Sequence, residues 1–177
     1  MLFRSISLRE NLTAKSWDSY KETVYAVLDR FKPRFILEFG PGFSTGIFAT
    51  NANVERVVSL EHDKEYYNKF IGSFYSNVQY VYEPDIDLYA QFKPEFTPDL
   101  IFIDGRNRSR CLREVRTLCR LIILHDSARE QYQEAISEYA YKIWADEGNT
   151  VCLTNDVKIY EVLQECLNVR KNSYTSA

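Results

Sequence analysis

Residues 36–49 read "ILEFGPGFSTGIFA". An apolar run carries an acidic residue, Glu38, and leads into Gly40, Pro41 and Gly42, then Ser44 and Thr45 at the head of a helix-compatible segment. A strand, a glycine turn and a helix in that order hold nucleotide-like ligands in α/β folds, because the turn lets the ligand approach the backbone closely. The dinucleotide form of the turn, G-x-G-x-x-G, presents free backbone N–H groups to a pyrophosphate. Here Thr45 stands in the third glycine's place, Gly46 comes one residue late, and Pro41 removes an N–H between the first two glycines. An acidic residue about 20 positions on is the partner of a ribose diol in such folds, and Glu61 closes the next apolar run.

Outward from this turn, short β-like runs alternate with amphipathic segments of helical length, which predicts an α/β domain on a largely parallel sheet. Strands are expected at 34–39, 54–61, 78–83, 99–105 and 120–126. Helices are expected at 16–31, from about Thr45, at 64–75, at 110–119 and over 128–146. In the first, Trp17, Tyr20, Val24, Val27, Leu28 and Phe31 share a face, with Ser16 as cap and Pro33 as stop. The end of the chain, "TVCLTNDVKIYEVL", reads as a β-hairpin around Asn155-Asp156. The division expected is an amino-terminal segment and helix over 1–32, a core over 33–167 and a flexible tail over 168–177, all one domain.

The chain has 177 residues, 45% hydrophobic and 27% charged, as an ordinary globular protein does. A net charge of −3 gives no global attraction to nucleic acid or an anionic membrane. Apolar runs such as "LIFI" and "RLIIL" are far too short to span a bilayer, and "MLFRSISLREN" does not read as a signal peptide. Cys111, Cys119, Cys152 and Cys166 have no zinc-ligand or C-x-x-C spacing. Buried reduced thiols in a cytoplasmic, reducing compartment are the expectation.

Ligands of open parallel sheets sit outside the carboxyl ends of the strands. Those ends carry Glu38, Glu61, Glu83 or Asp85, Asp104, and His125 with Asp126. Carboxylates gathered on one rim repel unless something cationic or a metal offsets them. A ligand with positive groups and ribose hydroxyls suits that rim, and S-adenosylmethionine has a sulfonium, an ammonium and a ribose diol.

"LEFGPGFST", followed by "VVSLEHDKEYY", "DLIFIDGR" and "LIILHDS", resembles the class I S-adenosylmethionine-dependent methyltransferases from about residue 33 to the end. Within that class the motifs resemble the sugar and macrolide O-methyltransferase branch. The resemblance implies a Rossmann-like three-layer sandwich on a mostly parallel seven-stranded sheet with an antiparallel carboxyl-terminal hairpin. It implies cofactor binding by Glu38, Gly40, Pro41, Gly42, Ser44, Thr45, Glu61, His62, Asp85 and Asp104. Metal-dependent members of the branch read D-G-D-H after the fourth strand, whereas this chain reads Asp104-Gly105-Arg106-Asn107. The histidine proposed as base there is missing, while Asp104 and Asp126 remain where ligands of a divalent ion such as Mg²⁺ would stand.

For a hydroxyl acceptor, His125 is the expected base, with Asp104 and Asp126 as the other catalytic candidates. Arg113, Arg116 and Arg120 share a solvated helix face, but Arg106, Arg108 and Arg110 leave the fourth strand on the active rim, and Arg129 follows Asp126. These four are expected to grip an anionic acceptor, a small molecule or glycan. No aromatic-basic platform supports a nucleic acid. A homodimer or a place in a larger assembly would supply the acceptor surface that so short a chain lacks. A non-catalytic S-adenosylmethionine-binding module is the alternative reading, and a dinucleotide oxidoreductase is disfavoured by Pro41 and Thr45.

Overall fold

The computed structural model describes residues 20–72 and 75–173, so the expected cap Ser16 and Trp17 lie outside the described residues. Seven strands form one sheet: β1 (Phe35–Phe39), β2 (Arg56–Glu61), β3 (Val78–Tyr82), β4 (Leu100–Ile103), β5 (Ile122–His125), β6 (Tyr141–Ala145) and β7 (Thr150–Thr154). Their order is β3-β2-β1-β4-β5-β7-β6. The first five pair in parallel, and β7 runs antiparallel to both β5 and β6. The helices are α1 (Lys21–Phe31), α2 (Phe43–Thr50), α3 (Lys64–Phe70), α4 (Ile86–Gln91), α5 (Arg108–Val115), α6 (Glu130–Ser137) and α7 (Val157–Ser173).

Successive strand residues face opposite sides of the sheet, and both faces are covered. On one side Leu37, Phe39, Ile101 and Ile103 pack with Tyr89 of α4, Leu112 of α5 and Ile136 of α6. On the other, Ile36, Val57 and Phe102 pack with Val24 and Leu28 of α1, Phe48 of α2 and Leu163 of α7. The central strands are therefore continuous apolar runs, as double coverage requires. This is the three-layer α/β sandwich with an antiparallel end that the sequence predicts.

The carboxyl-terminal third differs in detail from expectation. The helix predicted over 128–146 stops at Ser137, and its last residues are β6. The hairpin is β6–β7, joined by a 3₁₀ turn at Asp146–Gly148, and not a pair around Asn155-Asp156. Asp146, Glu147 and Gly148 all take positive φ there (51°, 57° and 90°), and only the glycine advertises it. Asn155 and Asp156 serve instead as end groups. Asn155 Oδ1 accepts the Ala140 N–H, and Asp156 Oδ1 accepts the N–H groups of Lys158 and Ile159 to open α7. Ile159, Leu163 and Leu167 then recur every fourth residue on the buried face of that helix. The helix continues to Ser173, past the point where a tail was expected.

A further helix, α4, was not anticipated; Asp85 caps it by accepting the N–H groups of Asp87 and Leu88. Cys111, Cys119 and Cys152 are buried thiols, and no cysteine forms a disulfide. Among the described residues no helix is long and apolar enough to cross a membrane.

Candidate functional site

Sequence order reverses in the sheet at β1, which has β2 on one side and β4 on the other. Ligands of open α/β sheets bind at such a switch point. A cleft of about 1120 Å³ lies there, walled by the Gly40–Gly42 turn, Glu61 after β2, Asp104 after β4, and His125 and Asp126 at β5. Of the carboxylates at the strand ends, Glu61, Asp104 and Asp126 line it.

Glu38 does not face the cleft. It is fully buried beneath the turn and accepts hydroxyl hydrogen bonds from Ser44 (2.5 Å), Thr45 (2.7 Å) and Ser59 (2.6 Å). Burial pushes its carboxyl up to about 7 against the pull of those three donors. Thr45 Oγ1 also accepts the Gly42 N–H at 2.9 Å, so one hydroxyl links the turn to the buried acid. That is the role of threonine at the position where a dinucleotide turn would hold glycine. Ser44 and Thr45 are buried with Glu38, so these three shape the turn from below.

The two glycines of the turn differ. Gly40 has a φ of +94°, and a Cβ there would come within 2.7 Å of the Gly105 backbone, so the fold itself demands glycine. Gly42 has a φ of −170°, which any residue adopts, and a Cβ there would meet nothing within 4 Å.

At the end of β2, Glu61 is 5% exposed. Its Oε1 accepts the N–H groups of His62 and Asp63, both at 2.8 Å, which fixes the side chain. Its Oε2 has no hydrogen-bond partner among the described residues. His62 stands 2.7 Å from Oε1 through Nδ1 and packs edge-on to Tyr89, 5.8 Å between ring centres. Asp85 is an exposed helix cap outside the cleft walls.

Across the cleft, His125 is 5% exposed and packs edge-on against Tyr20 at 4.7 Å. Its Nε2 lies 3.1 Å from Asn149 Nδ2, an N–H donor, which makes Nε2 the acceptor. Nδ1 then carries the proton and donates to Asp104 Oδ1 at 3.0 Å. Asp104 Oδ2 has no hydrogen-bond partner among the described residues. Ligand atoms of Asp104, His125 and Asp126 lie within 4.8 Å of one another, the spacing of a metal-binding group. The guanidinium of Arg108 stands against that use, at 3.0 Å from Asp104 Oδ1 and 3.4 Å from Asp126 Oδ2. The charges a divalent ion would neutralise already have a cation, so the donor set does not fit a metal.

The four arginines expected to grip an acceptor separate. Arg108 is 8% exposed and bound to the chain's own oxygens. Arg110 pairs with Asp87 and lies outside the cleft walls. Arg129 lines the cleft but pairs with Asp126 at 2.6 Å. Arg106 is exposed on the cleft wall, and its guanidinium has no ion pair among the described residues.

Tyr20 and Asn149 reach the site without a signal in the sequence. Tyr20 reads as one more apolar residue of a helical face, yet it is buried against His125 and lines the cleft. Burial and the nearby Asp104 hold its hydroxyl well above the usual tyrosine range, so it stays a proton donor. Asn149 stands just before β7, and only the antiparallel β6–β7 return carries it to His125.

No protein-family model and no curated protein matches this chain. Solved structures do. An O-methyltransferase from Bacillus cereus, in complex with SAH, is 16% identical with a TM-score of 0.58, over 82% of this chain and 83% of that one. The N-methyltransferase NodS from Bradyrhizobium japonicum WM9, in complex with S-adenosyl-L-homocysteine, is 10% identical with a TM-score of 0.57, over 82% and 89%. Spermidine synthase from Thermotoga maritima is 14% identical with a TM-score of 0.58, over 86% of this chain and 64% of that one. The chain has the fold that these transferases share, and members of both the O- and N-methyltransferase kind share it.

Proposed function

We propose that this chain binds S-adenosylmethionine in the cleft and transfers its methyl group to a hydroxyl of a sugar or glycan. The observation that carries the reading is Gly42. Neither backbone strain nor packing within the protein calls for glycine there, whereas a ligand lying against the backbone does. Beside it, Glu61 holds one oxygen on the backbone and offers the other toward the cleft, where a ribose diol would donate to it.

When bound, S-adenosylmethionine would supply an electrophilic methyl carbon on a sulfonium, with the thioether as its leaving group. The chain's own residues align the acceptor and receive its proton. Asp104 is placed to take that proton on Oδ2, while His125 donates to Oδ1 and fixes the carboxylate. This assigns His125, with both ring nitrogens engaged, the orienting part and Asp104 the accepting one. Arg106 stands ready for a phosphate or carboxylate on an anionic acceptor. A second reading, cofactor binding without transfer, is favoured by the enclosure of His125.

Isothermal titration with S-adenosylmethionine, S-adenosylhomocysteine and NAD tests the donor. Binding of the two methionine-derived ligands supports the proposal, and a response to NAD alone refutes it. Turnover on a panel of neutral sugars, acidic sugars and nucleotide sugars, with and without chelator, separates transfer from binding. Binding without turnover on any of them favours the second reading.

A further inference from the structure

We infer that Arg108 is the resident cation of this site: its guanidinium fills the place between Asp104 and Asp126 that a divalent metal would take, and positions both carboxylates without one. Its bearing on methyl transfer rests on the reading above, but its test does not.

Arg108 is the first residue of α5, and its side chain turns back over the ends of β4 and β5. Each of its nitrogens has a backbone oxygen: Nε donates to Gly105 O at 2.9 Å, Nη1 to His125 O at 2.5 Å and Nη2 to Asp104 O at 2.8 Å. The same two Nη groups reach Asp104 Oδ1 at 3.0 Å and Asp126 Oδ2 at 3.4 Å. A flat, always-charged fork meets this set of oxygens, and a flexible ammonium does not. The ring of Tyr132 lies 5.7 Å from the guanidinium carbon and closes the other side. A side chain held by three carbonyls and two carboxylates is not available to an acceptor.

The charges at this edge balance. Asp104 and Asp126 face Arg108, and Asp126 also takes Arg129 at 2.6 Å, giving two carboxylates and two guanidiniums. A divalent ion would need those carboxylate oxygens at about 2.1 Å, displacing a buried cation or sharing the space with it against mutual repulsion. This accounts for the acidic rim without a metal. The offsetting charge enters from within the chain, three residues past the Asp104-Gly105 pair.

The test is Mn²⁺ titration of the intact chain, followed by the electron paramagnetic resonance of free Mn²⁺. Wild type is expected to bind Mn²⁺ no better than Asp126→Asn does. Arg108→Gln removes the charge and keeps an N–H donor for the carbonyls. It is expected to gain a Mn²⁺ site at least roughly tenfold tighter than wild type, abolished by adding Asp126→Asn. Arg108→Lys, which keeps the charge, gains none. Should the Gln variant not fold, Arg108→Met fills the same space without charge and carries the same expectation. Wild type binding Mn²⁺ in a manner that Asp126→Asn abolishes would overturn the inference, as would a folded, uncharged variant that gains no site. Failure of the methyltransfer reading would register separately, as absent S-adenosylhomocysteine binding.

Discussion

Glu38 offers a prediction whose size follows from its surroundings. The carboxyl is fully buried under the glycine turn and pushed from the ordinary 4.5 to about 7. Below pH 4.5 it is protonated in both folded and unfolded chains, and its contribution to stability is fully present. As pH rises, the unfolded chain ionises first, so that contribution is lost progressively through about pH 7. Each pH unit of displacement is about 1.4 kcal/mol, so the whole effect is on the order of 3 kcal/mol, most of it between pH 5 and 8. Glu38→Gln keeps the shape and does not titrate. Urea unfolding of both proteins across pH 5–8 should therefore show wild type losing stability, on the order of 2 to 3 kcal/mol, relative to the variant as pH rises. A difference that stays constant, or that grows in favour of wild type, would mean that the Ser44, Thr45 and Ser59 hydroxyls outweigh burial and that Glu38 is ionised throughout.

The two glycines of the turn should part under substitution. Gly40→Ala, with its positive φ and its contact with the Gly105 backbone, should cost about 3 kcal/mol in chemical denaturation. Gly42→Val should leave the melting temperature within about 2 °C of wild type, a change of at most about 1 kcal/mol, while S-adenosylhomocysteine affinity falls at least roughly tenfold in calorimetry. Asp156→Ala removes the acceptor that opens α7 and should cost about 1 kcal/mol in chemical denaturation; no loss would refute its part as the helix cap.

The central strands were legible because β1, β2, β4 and β5 are apolar runs bounded by polar turns, and a sheet covered on both faces leaves little else to read. Strand ends differ from expectation by a residue or two, but α3 stops at Phe70 and α5 at Val115, five and four residues short of the helices expected at 64–75 and 110–119. The return through β6 was hidden. "YKIWA" is half-buried and of a composition a helix also tolerates, and its turn puts Asp146 and Glu147 at positive φ with no glycine to mark them. With β6 hidden, "VKIYEVL" looks like a strand, although Ile159 and Leu163 stand four residues apart, as on a helix face.

At the site, residue types at strand ends were legible, but side-chain direction was not. Glu38 points under the turn, Asp85 caps a helix, and Arg108 turns back onto the chain's own oxygens, though all three stand at or just past the carboxyl ends of strands. Neither burial depth nor the partner of a long side chain is coded locally. Tyr20 and Asn149 come from elements distant in sequence, and only the topology joins them at His125.

The most direct test is calorimetric titration of S-adenosylhomocysteine into wild type and Glu61→Gln. The variant keeps an oxygen for the His62 and Asp63 N–H groups and replaces the cleft-facing acceptor with a donor. Wild type should bind, and the folded variant should bind at least roughly tenfold more weakly, since a charge-assisted acceptor of the ribose diol is lost. No binding by wild type, or equal binding by both, would contradict the assignment of this cleft to the cofactor.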